Sequence, residues 1–177
     1  MGNSLRYDRP VGHTPFDGMT CSVARTLDVV GEWWTPLIVR DLMLGISRFD
    51  AIQHDLGISR KVLAQRLERL LEHGVVERTA YQDNPLRYDY GLTEKGADLA
   101  KLILAMTAWG DRWVFAEHER PLLFRHEPCG CEAAPVLACS CCGEAIGPGE
   151  LTPVAGPGLR AGPGTSGVPA ALQRIGA

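Results

Sequence analysis

The sequence predicts a mainly helical domain carrying a small two-stranded β element, and three observations predict it. Residues 59–73 hold Val62, Leu63, Leu67, Leu70 and Leu71 at three- and four-residue spacings, with Arg60, Lys61, Gln65 and Arg66 between them. That is an amphipathic basic helix. Gly74 stops it, and Val75–Tyr81 then reads as a strand rich in β-branched and aromatic residues. Gln82, Asp83, Asn84, Pro85 and Leu86 form a polar turn, and Arg87–Leu92 returns as a second strand. A short helix, a tight turn, a basic helix and a hairpin, in that order, make a winged helix-turn-helix.

Each preceding element has its own signals. Residues 1–19 are polar, with scattered Gly, Pro and Asn and no periodicity, and read as a flexible N-terminal arm. Ser22 precedes Val23, Leu27 and Val30, which give a first helix closed by Gly31. Thr35 followed by Pro36 is a start signal for a second helix, with Thr as cap and Pro at its first position; Gly45 ends that helix. Ser47 and Asp50 resemble a capping box at the head of a third, short helix holding Phe49, Ile52 and Leu56. Gly57 and Ile58 join it to the basic helix, whose cap is Ser59.

After the wing, Thr93 caps a long helix running to about Ala116. Leu99, Leu102, Ile103, Met106, Trp109, Trp113 and Val114 recur along it at helical spacing. The stripe either packs on the helix's own domain or pairs with the same helix of a second subunit; its width favours the second, and a homodimer is expected, with two reading helices about one turn of DNA apart. The domain organisation expected is an arm at 1–19, a DNA-binding and dimerisation domain at 20–120, a cysteine-rich segment at 121–150 and a disordered tail at 151–177. The tail rests on composition, because Gly143–Pro169 contains 13 Gly and Pro residues.

The 177 residues carry a net charge of −3, so any nucleic-acid contact is a local basic patch and not a whole-surface field. Ser59, Arg60, Lys61, Gln65 and Arg66 supply that patch for base edges and phosphates of double-stranded DNA, with Asn84 and Arg87 of the wing tracking the adjacent groove or backbone. No apolar run approaches a membrane span and the N-terminus lacks the apolar core of a secretory signal, so a cytoplasmic protein is expected. No HExxH pattern, phosphate loop or serine elbow is present, and an enzyme is not expected. The alternatives are a winged helix that binds only protein partners and, further off, a zinc or thiol enzyme.

Six cysteines in a reducing compartment point to metal or redox chemistry and not to a disulfide framework. Cys129, Cys131, Cys139, Cys141 and Cys142 fall within 14 residues. A C-x-C and a C-x-x-C together supply four thiolates to one structural zinc, with Cys129, Cys131, Cys139 and Cys142 as the ligand set; Cys141 and His126 are the alternatives, because C-x-C is tighter than usual zinc spacing. A redox-active thiol cluster is the competing reading. Cys21 is separate: at the start of the first helix, backbone N–H groups and the helix dipole favour a thiolate there, while the simpler reading is a small apolar residue seating that helix.

The run from Cys21 to about position 115 resembles the HxlR-type transcription regulators, winged-helix relatives of the MarR regulators. The motifs that carry the resemblance are Cys21, Trp34-Thr35, Arg48-Phe49, Ile58-Ser59 with Val62-Leu63, and Leu92-Thr93-Glu94-Lys95-Gly96. The resemblance implies a homodimer on a pseudo-palindromic operator, usually repressing a nearby gene, and a matching cysteine that some members use to sense oxidants or electrophiles. Some members also carry a similar C-terminal CG…PVL-x-C-x-x-CG segment, often with His at the position of Cys131. The chain departs from the common pattern at Trp33, where relatives often have Lys, and in its length. Trp33 and Trp34 are expected either to fill the core or to line a pocket for a small effector.

Overall fold

The computed structural model describes residues 16 and 18–175. The expected arm at 1–19 lies almost wholly outside them. The described chain falls into two compact units, one spanning Glu32–Thr152 and the other drawn from Met1–Gly31 and Pro153–Ala177.

In the larger unit the order is α2 (Trp34–Met43), α3 (Phe49–Leu56), α4 (Arg60–Glu72), β1 (Val76–Asp83), β2 (Leu86–Leu92) and α5 (Glu94–Trp113), followed by the two-residue strands β3 (Arg125–His126) and β4 (Cys131–Glu132). This is a mainly helical winged helix-turn-helix with a small antiparallel sheet. Ile38, Val39, Ile52, Leu63, Leu67 and Leu70 bury their side chains from three different helices, and Val75 joins them from the chain leading into the wing. Each such side chain contributes roughly 1.5–3 kcal/mol by leaving water. A further cluster sets Val39 of α2 against Ala100 and Ile103 of α5.

The wing is a hairpin with Val76 opposite Leu92 and Asp83 opposite Leu86, and a register shift between Ala80 and Gln82. It is tied to the head of α3, because the Tyr90 N–H donates to the Ser47 carbonyl at 2.9 Å and Ser47 Oγ donates to Asp89 Oδ1 at 3.0 Å. That bond replaces the expected capping box. Arg48 occupies the cap position of α3 without a side-chain cap, since the Ser47 hydroxyl is engaged across to the wing. Thr35 is likewise not a cap. The helix begins at Trp34, and Thr35 is 2% exposed inside its first turn. Pro36 is still tolerated there because first-turn N–H groups have no intrahelical partner.

The start of α5 is fixed as the sequence predicts. Thr93 Oγ1 accepts from the Gly96 N–H at 3.1 Å and donates to the Gly74 carbonyl at 2.7 Å, locking the helix to the end of α4. Gly96 must be glycine, because a Cβ there would collide with the Val75 carbonyl oxygen.

The other unit contains α1 (Ser22–Val30) and α6 (Val168–Ile175). Thr165 is buried, donates to the Arg160 carbonyl at 2.9 Å and shares a 3.3 Å hydrogen bond with Thr20. The tail is therefore not structureless throughout. Its mean composition hides Ala170, Ala171, Leu172, Gln173 and Arg174, which favour a helix, and Pro169 falls in the first turn where its missing N–H costs nothing.

Candidate nucleic-acid interface

The helix-turn-helix is set by three local devices. Gly57 ends α3 in the left-handed region at φ 62, a conformation that side chains with a Cβ resist. Ile58 is 3% exposed and anchors the turn, and Ser59 Oγ accepts the Val62 N–H at 3.3 Å, so α4 starts at Arg60. Leu63, Leu67 and Leu70 then turn inward, which leaves Arg60, Lys61 and Gln65 on the exposed face of the first two turns.

Arg60 and Arg87, one from α4 and one from the wing, converge on a single carboxylate. Arg60 Nη1 donates to Asp50 Oδ1 at 2.6 Å and to Gln53 Oε1 at 3.3 Å, with its guanidinium 4.9 Å from the Phe49 ring centroid. Arg87 Nη1 stands 3.8 Å from Asp50 Oδ2. Both arginines are largely exposed, so these ion pairs contribute little to stability and orient two cations beside one groove. That groove, of about 310 Å³, is lined by Asp50, Arg60, Tyr81, Arg87 and Tyr88 among others. Asn84 lies exposed at the wing tip, where its backbone carbonyl accepts from Gln82 Nε2 at 3.0 Å.

Arg66 stands apart from this group. Its side chain is 11% exposed and Nη2 donates to Glu32 Oε2 at 2.9 Å, so its charge is spent inside the unit between α4 and the approach to α2. Two arginines that sequence reasoning passed over belong with the exposed set. Arg48 lies 4.6 Å from the Tyr81 ring centroid and 3.4 Å from Asp89, and Arg78 lies 4.6 Å from the Tyr88 ring centroid. Arg48 is 33 residues from Tyr81 and Arg78 ten from Tyr88 along the chain, so only the fold brings these pairs together.

α5 has two unlike faces. Gly96, Ala100 and Ile103 are buried, whereas Leu102, Met106, Trp109 and Trp113 remain 44%, 53%, 62% and 64% exposed. Those four recur at four-, three- and four-residue steps and form one apolar stripe along the helix. Trp33 is 89% exposed, which overturns the expectation that it fills the core: at the edge of the first turn of α2 it points away from Ile38 and Val39. A cavity of about 470 Å³ opens elsewhere, between the end of α2 and α5, with Met43, Ile103, Phe115 and Phe124 among its lining residues and Arg40 and Asp55 at its polar side.

The cysteines fall in different places. Cys21 is the partly buried cap residue of α1, extended at φ −123, with no side-chain cap hydrogen bond. The other five lie on two small hairpins. His126 pairs with Cys131 across β3 and β4, and a bridge between Ala138 and Ala145 closes the second hairpin. His126 Nδ1 is 3.2 Å from Cys129 Sγ. The backbone N–H groups of Cys142 and Cys141 and the Cys142 side chain hydrogen-bond to Cys139, which holds its thiol below the usual thiol range. Among the described residues no three His, Cys, Asp or Glu side chains already stand together as a metal cage.

Residues 29–118 match the family model described as HxlR-like helix-turn-helix. An uncharacterized HTH-type transcriptional regulator of Mycobacterium tuberculosis, Rv3095, is 42% identical over 140 residues, which cover 79% of this chain and 89% of the relative. YodB of Bacillus subtilis, an HTH-type transcriptional regulator, is 38% identical over 86 residues, covering 48% of this chain and 77% of YodB. The crystal structure of PA1607, a candidate transcription factor, superposes with a TM-score of 0.69 at 33% identity over 80% of this chain and 99% of that one. PA1374 of Pseudomonas aeruginosa, also a candidate transcription factor, gives a TM-score of 0.56 at 35% identity, covering 79% and 95%. With its recognition fold, wing and capped long helix in place, the chain belongs to the HxlR-like helix-turn-helix family of transcriptional regulators.

Proposed function

We propose that this regulator binds a pseudo-palindromic operator as a homodimer, with α4 in the major groove and the wing beside it, and represses the gene it covers. The observation that carries this reading is the exposed face of Arg60, Lys61 and Gln65 on a helix whose start is fixed by Ser59, next to Arg87 of the wing. Gln65 is suited to a bidentate contact with adenine, Arg60 to guanine or phosphate, and Lys61 to phosphate as a point charge. Arg87 and Asn84 take the neighbouring backbone. Arg66 acts through Glu32 by holding α4 in place.

Dimerisation falls to the apolar stripe of α5. Two indoles more than half exposed on one face are unusual for a monomer and ordinary for a two-fold interface. Control of operator affinity is assigned to thiol chemistry at Cys21, whose helix-cap position supplies N–H groups to a thiolate. The small-effector alternative is moved from Trp33 to the cavity between α2 and α5, whose volume lies in the usual ligand range. Footprinting on the DNA upstream of the protein's own gene tests the reading, with peroxide-treated wild type and Cys21→Ser compared in the same experiment. Protection that peroxide abolishes in the wild type and spares in Cys21→Ser supports both parts. Equal release of the two places the control elsewhere, and no protection at all leaves a winged helix that binds proteins.

A further inference from the structure

The cysteine-rich segment has shape without a core. No residue from Pro121 to Glu150 is buried, and its strands are two residues long or single bridges. Isolated hairpins of that size do not persist in water without a staple. The sequence offers five cysteines and a histidine for one, and the backbone sorts them.

The two hairpin tips are built alike. In the first, His126 and Cys129 are three positions apart, Gly130 follows at φ 71, and the Gly130 N–H donates to the His126 carbonyl at 2.8 Å. In the second, Cys139 and Cys142 are three apart, Gly143 follows at φ 78, and the Gly143 N–H donates to the Cys139 carbonyl at 2.8 Å. Both are ligand-type residue, two spacers, ligand-type residue and left-handed glycine, closed by the same backbone bond. The turn brings the two ligand-type side chains of the first tip to the same side, with His126 Nδ1 and Cys129 Sγ 3.2 Å apart, and the second tip repeats that backbone. Zinc bonds of about 2.3 Å to sulfur and about 2.0 Å to nitrogen in a tetrahedron set the two donors roughly 3.6 Å apart, close to what the first tip already holds.

Cys131 does not share this arrangement. It lies one residue past the left-handed Gly130, on β4 in register with His126, and its sulfur faces the Cys129 carbonyl at 3.7 Å. Cys141 is a spacer inside the second turn.

We propose that His126, Cys129, Cys139 and Cys142 bind one structural zinc ion, two ligands from each tip, with Cys131 and Cys141 outside the coordination sphere. The two tips supply half a site each, joined by the exposed stretch 133–137, and the ion draws them together, so metal binding and ordering of the segment are one event. Three thiols release their protons to solvent as they ligate and His126 enters as the neutral imidazole. This inference stands independently of operator binding.

The test is metal analysis of the purified full-length protein together with X-ray absorption at the zinc edge. The expected result is one zinc per chain coordinated by three sulfurs and one nitrogen, retained in Cys131→Ser and Cys141→Ser and bound at least tenfold more weakly in His126→Ala and Cys139→Ser. The absorption measurement uses the wild type, so it decides even if a ligand variant fails to fold. Four sulfurs with no nitrogen, or loss of the metal in Cys131→Ser with retention in His126→Ala, would overturn the ligand assignment. Protein that neither carries zinc nor takes up added Zn²⁺ would overturn the site itself.

Discussion

Replacing Trp109 by alanine should dissociate the protein into monomers while leaving each one folded. The indole is 62% exposed on the outer face of α5, so on the order of 100–150 Å² of mostly apolar surface is free at this position. Covering it at about 25 cal/mol per Å² stabilises an interface by roughly 2.5–4 kcal/mol. A two-fold axis uses the same residue twice, so the dimer loses up to about twice that figure on substitution. Association carries its own entropic cost and area overstates affinity, so the lower end is the safer figure. Even about 4 kcal/mol weakens the dimer roughly a thousandfold, from nanomolar to micromolar. Because Trp109 is not part of the core, thermal stability of the monomer should move by less than about 1 kcal/mol. Sedimentation equilibrium across nanomolar to micromolar concentrations reads the change, with Lys101→Ala, on an exposed position outside the stripe, as the control. A wild type that is monomeric at micromolar concentration, or a Trp109→Ala variant that dimerises as tightly as the control, would rule out this stripe as the interface.

Gly96→Ala should destabilise the larger unit by about 1–3 kcal/mol in denaturant titrations, because its Cβ would collide with the Val75 backbone carbonyl, which cannot swing aside as a flexible side chain can. Arg66→Ala should lower stability by about 1–3 kcal/mol through the unpaired, half-buried Glu32, and the double variant with Glu32→Gln should recover part of that loss, an outcome a base contact by Arg66 does not produce. Asp41 is fully buried, and desolvation outweighs its hydrogen bond from Arg40 to push its carboxyl above the ordinary 3.8. A raised carboxyl contributes stability that is fully present below pH 3.8 and is lost as pH rises through its folded value. The stability of the wild type relative to Asp41→Asn should therefore fall as pH is raised from about 4, and a difference independent of pH in paired thermal melts would contradict the burial argument.

The parts of the fold legible in the sequence were those fixed by neighbours along the chain. Ser59, Gly57, Thr93 and the leucines of α4 act within one or two turns of themselves, and each does in the structure what its spacing implies. Where a partner lies far along the chain, local rules point the wrong way. Ser47 has the composition of a cap yet serves Asp89, 42 residues on, and Thr35 precedes a proline yet lies buried within a helix that has already begun. Arg66 sits three residues after Leu63 and four before Leu70, on the flank of the buried stripe, so helical period alone allowed either side; Glu32, 34 residues away, draws it in. In the cysteine segment, residue spacing points to thiols as a class, and the proposal of His126 in place of Cys131 rests on which carbonyls the turn N–H groups reach, a property of backbone conformation and not of composition. In the tail, an averaged Gly and Pro content concealed a run of helix formers.

Whether the exposed face of α4 reads DNA is decided by quantitative footprinting of the DNA upstream of the protein's own gene, with the wild type beside Arg60→Ala and Gln65→Ala. Two protected, two-fold-related half-sites about 10 base pairs apart, with each variant weakened by about 1–3 kcal/mol on that site and far less on unrelated sequence, are the expected result. Protection by both variants at the wild-type concentration would contradict it and remove α4 from the interface.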